Sequence, residues 1–237
     1  MRATLPDTYP STRTDLHRLA VYVVSPARVV ANGQITLRST PGGFGTPVFG
    51  PDDRQVRVAG VDLLVDERGE TIAREPITTL ARAAELAGIA PAVEQEAQFD
   101  VPPHGDLAAP LAVDAEAAGA LADWFLLAFE ALGELWRESR SEDRLSPHVR
   151  LWPEHFDAAV DLGAGDRGGT YGLSPGDRSD PHPYVYATRW SGHGDDAFYD
   201  APFGGAWLPY AEVAGAPDPR AAVLAFLREA RGRRLGY

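Results

Sequence analysis

The chain contains no cysteine in 237 residues, which removes thiolate nucleophiles, disulfides, iron–sulfur clusters and every zinc site built on sulfur. It contains no lysine either, so all 22 basic residues are arginine. Schiff-base chemistry and the lysine of a phosphate-binding loop are thereby excluded. With so much Ala, Gly and Pro beside the Arg, the composition reads as the codon bias of a GC-rich bacterial genome. Positive charge is scarce as well: 34 acidic residues leave a formal net charge of -12. Contact with phosphate backbones relies on Lys and Arg displacing counterions, so no nucleic acid partner is expected. No apolar run approaches the roughly 20 residues that span a bilayer, and the opening MRATLPDTYPSTRTD holds no apolar signal core. These absences predict a cytoplasmic protein with no membrane partner.

What is present is a globular composition, 44% hydrophobic and 24% charged, enough for a substantial core. Leu16, Leu19, Ala20 and Val23 recur at helical spacing, with Thr14 available as a cap and Pro26 bending or ending the helix. Ile35 and Leu37 alternate ahead of STPGGFGTPVFG, whose glycines favour a bulged hairpin. Val56, Val58, Val61, Leu63 and Val65 alternate next, TIAREPI gives a third short strand, and TTLARAAELAG is a helix with a Thr cap and Gly88 at its end. Residues 89–110 carry Pro and acids without a period and read as a connection.

Asp114 then caps the longest helix, in which Leu121, Phe125, Ala128, Phe129, Leu132, Leu135 and Trp136 form one wide apolar stripe to about Ser139. LWPEHFDAAVDLG, residues 151–163, alternates as a single strand. Trp152, Phe156, Ala158, Val160 and Leu162 share one parity, and His155, Asp157, Ala159 and Asp161 the other. GTYGLSPGD, PYVYATRW and GAWLPYAEV supply further strands, and Asp218 with Pro219 opens a final helix whose end carries Arg228, Arg231, Arg233 and Arg234. The predicted class is α+β: one domain of mostly antiparallel sheets with helices packed on one face. The shared order of elements suggests a pseudo-repeat of two α-β-β-β-α halves, residues 1–90 and 110–237, joined by the Pro-rich connection.

The glycine-rich STPGGFGTPVFG carries neither GxxxxGK nor GxGxxG, so no phosphate loop is read from it. On a single strand His155 and Asp157 point the same way, as a base with its orienter or as two ligands of a divalent ion. The plainer alternative is the polar solvent face of an antiparallel sheet. Glu154 shares the parity of Trp152 and Phe156, where an ionised carboxylate needs a partner or a raised pKa. Tyr184, Tyr186 and Arg189 are the residues expected to join His155 and Asp157 around a small-molecule ligand in a cleft of the second half. Asp177, Asp180 and His182, with His193, Asp195 and Asp196, are oxygen-rich enough for a hard cation, but they match no EF-hand or zincin spacing and are also what turns are made of. No metal and no cofactor are therefore expected. Phe198, Tyr199, Phe203, Trp207 and Tyr210 would wall a pocket, offer a partner surface or fill a core.

SPHVRLWPEHFDAAV, SPGDRSDPHPYVYATRW, AFYDAPFGGAWLPYAEV and PDPRAAVLAFLREAR together resemble a family of bacterial proteins of uncharacterised function. Its members pair a segment ending in FDLAV with a later FYDAELGEFILPYDAV-like segment and a DPDAALLEFL-like final helix. The early TDLHRLAVYV is also comparable. The resemblance implies a stand-alone cytoplasmic domain and no particular activity. Family members often carry a small residue where His155 stands, which weighs against a general catalytic role there. Three readings of function follow: a small-molecule binding protein or enzyme with its cleft in the second half, a non-catalytic interaction or structural protein using the aromatics of residues 198–207, and a divalent-metal-dependent enzyme.

Overall fold

The structure is a computed structural model that describes residues 4–99, 101–146, 148–178, 180–191, 197–201 and 203–235; His193, Asp195 and Asp196 lie outside the described residues. Pro10 sits in the first turn of α1 (Tyr9–Leu19), where its missing N–H costs nothing. The helix runs directly into a π-helical turn, Ala20–Val24, and on into α2 (Ser25–Asn32), which Gly33 ends in a left-handed conformation. Of the two expectations from sequence, that Pro26 bends or ends the helix, ending is excluded: the helix continues through the π turn. A proline at this position leaves the carbonyl four residues back, that of Tyr22, without its helical donor. Here that carbonyl accepts the N–H of Ala92 at 3.1 Å instead. The wider i→i−5 closure from Ser25 to Ala20 carries the chain past the gap. Thr14 is no cap either: it lies inside α1 and its hydroxyl donates to Pro10 O at 2.9 Å.

Five strands follow: β1 (Arg38–Thr40), β2 (Gly43–Gly45), β3 (Gln55–Ala59), β4 (Asp62–Glu67) and β5 (Glu70–Pro76), paired in sequential order. STPGGFG forms the β1–β2 hairpin, with Thr40 opposite Gly43. Val56, Val58, Leu63 and Val65 are buried, as their alternation predicts. Helix α3 (Leu80–Ala87) packs on β4. It is capped by the Thr79 hydroxyl, which accepts from the Arg82 N–H at 3.0 Å, and is closed by left-handed Gly88. The connection over residues 89–110 contains one short helix, α4 (Gln95–Gln98). Asp114 then accepts the Ala117 N–H at 2.9 Å and starts α5 (Ala115–Glu138), in which Phe125 and Leu132 are 0% exposed.

The second sheet holds β6 (Arg150–Trp152), β7 (Asp157–Leu162), β8 (Gly169–Ser174), β9 (Tyr184–Arg189) and β10 (Ala206–Pro209), again antiparallel and in sequential order. Helices α6 (Tyr210–Gly215) and α7 (Pro219–Leu235) complete the chain, with α7 against β9 and β10. The α+β class thus holds. Each half of the chain runs helix, five-strand meander, helix, where three strands were expected, because arms of three residues are too short for alternation to register.

The single strand read through LWPEHFD is corrected. Residues 153–156 are a turn between β6 and β7, and Phe156 adopts a left-handed φ of 55°. A turn resets the side-chain alternation, so parity on one side says nothing about the other. The structure divides into two compact units, Leu5–Leu126 with Leu151–Phe156, and Leu127–Arg150 with the residues from Asp157 onward. The division falls inside α5 and not in the Pro-rich connection.

Candidate functional site

Within the first unit, the first helices, the connection and the 153–156 turn enclose a cavity of about 280 Å³. Its walls are mainly apolar, from Val21 in the π turn, Val29 and Ile35, Pro91 and Phe99. The polar rim comes from Ser25, Glu94, Gln95 and Glu154, and no basic side chain lines it. Each wall has a local cause. The Ala92 N–H on the Tyr22 carbonyl pins the connection beside the π turn. The Ser25 hydroxyl donates to Ile35 O at 2.7 Å and draws in the segment after α2. The Tyr22 hydroxyl donates to Pro102 O at 2.7 Å; burial, then the Glu96 charge, pushes that phenol up to about 12.

The turn that carries Glu154 is held by the Phe156 ring and by His17. Phe156 is 1% exposed and meets Phe44 and Phe125 edge-on, at ring distances of 5.1 and 5.3 Å. Its other face stacks on His17, 4.9 Å away. His17 Nε2 lies 2.8 Å from Pro153 O, and since a carbonyl only accepts, Nε2 carries the proton. Burial pulls the imidazole down to about 4, against hydrogen bonds to the Pro153 and Glu154 backbone that favour the charged ring. His17 is therefore neutral near pH 7 and serves as a strut. With the turn so fixed, Glu154 Oε2 is buried and bonded by no group among the described residues.

Of the residues expected to form a site in the second half, Asp157, Tyr186 and Tyr184 are neighbours, while Arg189 lies over Tyr199. His155 is exposed on the turn, and Asp157 is buried at the start of β7. Asp157 accepts from the Tyr186 hydroxyl, and Asp177 accepts from Tyr184 at 2.6 Å. Burial, then the neighbouring carboxylate, holds both phenols well above their ordinary range, so they are donors and not bases at neutral pH. Gly172, opposite Tyr186, makes this possible, because a Cβ there would overlap the Tyr186 ring. Arg189 is three residues from Tyr186 along the strand, on the opposite face, and its guanidinium lies 3.9 Å over the Tyr199 ring. None of these five residues lines the cavity of the first unit.

Asp177, Asp180 and His182 are committed to a turn. The Asp180 N–H donates to Asp177 Oδ1, and Asp180 Oδ1 receives the His182 N–H at 2.8 Å. No group of three or more His, Asp or Glu suited to a metal ion occurs among the described residues. Of the aromatics, Tyr199 and Tyr210 are buried, while Phe203 and Trp207 stay 38% and 36% exposed. No helix among the described residues is long and apolar enough to cross a membrane.

Sequence reasoning singled out Glu154 only as a charge between Trp152 and Phe156 on a strand that the structure replaces by a turn, so the parity that marked it carried no information about the cavity. The opposing wall left no readable mark, because it depends on a carbonyl freed by Pro26. Comparison with protein-family profiles, with curated proteins and with solved structures found no match.

Proposed function

We propose that the protein binds a small molecule with an apolar body and one hydrogen-bond-donating, cationic head, such as a primary ammonium, in the cavity of the first unit. The observation that carries this reading is Glu154, which lines the cavity and whose buried Oε2 is bonded by no group among the described residues. A buried acceptor left unmade is costly, and a donor on the ligand recovers that cost. Glu94 and Glu154 with no basic side chain in the lining disfavour an anionic head. The volume lies at the lower end for ligand pockets and limits the body to a short alkyl or single aromatic group.

The test is calorimetric titration with phenethylamine and hexylamine, set against hexanoate. The amines bind the wild type and hexanoate does not, while Glu154→Gln and the cavity-filling Val29→Trp weaken the amines. Equal binding by Glu154→Gln, or preference for hexanoate, would overturn the assignment. The same reading assigns the chain to the bacterial family that its FDAAV and FYDAPFGGAWLPYAEV segments resemble, and treats the two helix–meander–helix halves as a pseudo-repeat.

A second reading, self-association, is favoured by the exposure of Phe203 and of Trp207 on edge strand β10. Sedimentation separates it from the first: a wild-type dimer that Trp207→Glu dissociates supports this reading, and a monomeric wild type removes it.

A further inference from the structure

The second unit contains a cavity of its own, about 350 Å³, between the end of α5, the 3-10 turns Ser141–Asp143 and Gly165–Arg167, and α7. Its lining includes Arg140, Arg167, Arg228 and Arg231 against two carboxylates, Glu138 and Asp143. In a chain of net charge -12 this is an inverted local balance. Two of the four arginines are compensated. Arg231 bonds Asp143 at 2.8 Å, with both side chains less than one-tenth exposed, and Arg228 bonds Glu138 and Glu134. Arg140 and Arg167 are exposed and make no ion pair with any described residue. The carboxyl of Glu142 lies outside the lining. It is held below its ordinary range first by its own backbone N–H, with smaller contributions from Ser141 and these two arginines.

We propose that this cavity binds a small phosphate-bearing anion, with Arg140 and Arg167 as the recognition groups on a floor set by the Arg231–Asp143 pair. Guanidinium groups present planar paired donors that match phosphoryl oxygens, and two without an ion-pair partner outweigh the roughly half negative charge at the C-terminus of α5. The buried pair fixes the floor because neither partner can leave without stranding a charge. Arg231 also donates to Arg167 O at 3.4 Å, which ties down the turn that carries the Arg167 side chain.

The experiment titrates the full chain with inorganic pyrophosphate, and separately with citrate, at low and constant ionic strength. The wild type binds pyrophosphate more tightly than citrate, and an Arg140→Gln, Arg167→Gln double variant loses affinity by roughly tenfold or more. Both positions are exposed, so the variant keeps the wild-type melting temperature in buffer. Glu154→Gln binds pyrophosphate as the wild type does, which separates this site from the amine cavity. Undetectable pyrophosphate binding, citrate binding as tight or tighter, or an unchanged affinity in the double variant would each overturn the proposal.

Discussion

His17 and Phe156 show what single side chains contribute to the candidate site. Between pH 6.5 and about 4 the unfolded chain takes up a proton at His17 that the folded chain refuses, so stability falls as pH falls through that window. The depression corresponds to at most about 3 kcal/mol, and to less because part of the His17 residue remains accessible. Urea midpoints at pH 7 and 4.5 measure it. His17→Gln keeps a donor for Pro153 O but does not titrate, so its pH dependence is flatter than that of the wild type; identical profiles would show that another group is responsible. Phe156→Ala is expected to cost ~3 to 5 kcal/mol, as for other buried aromatics. Because φ is 55° there, Phe156→Gly should be at least as stable as the Ala variant, reversing the usual order in denaturant melts. His155→Ala, at an exposed turn position, changes stability by less than about 0.5 kcal/mol.

At the scale of elements, the π turn links a local sequence choice to the cavity wall. Pro26 frees the Tyr22 carbonyl for Ala92, and the connection that bears Pro91 and Phe99 is held through that bond. Pro26→Ala restores an N–H that competes for the same carbonyl. The variant should keep its helical circular dichroism yet bind amines several-fold more weakly, since the wall loses its anchor while α2 remains. Unchanged amine affinity would show that the wall is positioned by other contacts. The second sheet shows the same dependence of a polar pair on packing: Tyr186 reaches Asp157 only because β8 has Gly172 opposite.

For the whole molecule, a ligand at about 100 times its dissociation constant stabilises the folded state by ~2.7 kcal/mol. In a chain of this length that corresponds to a melting shift of roughly 5–10 °C. Phenethylamine should shift the transition of the unit that contains Glu154, and pyrophosphate that of the unit that contains Arg231. If the chain melts in one step, either ligand moves the whole transition. Scanning calorimetry with each ligand distinguishes these outcomes, and a shift absent with both would remove both cavities as binding sites.

The sequence by itself determined the class of the fold and most of its elements. The apolar stripe of α5, the Thr79 and Gly88 ends of α3 and the alternation of β3 and β4 are short-range signals, written in residues that touch the same stretch of chain. It also determined that no chemistry here uses a thiol or a lysine amine. Tertiary structure decided where chemistry is placed. His155 and Asp157 looked like neighbours on one strand, and His155 lies instead in the turn that precedes the strand begun by Asp157. Pro26 could have bent or ended its helix, and the helix continues with the freed Tyr22 carbonyl taken by a donor 66 residues later. Glu154 looked like a charge out of place, and it lines a cavity whose other walls come from residues 21–35 and 90–99. In each case the deciding contact joins groups far apart in sequence, and neither propensity nor periodicity carries information about such a partner.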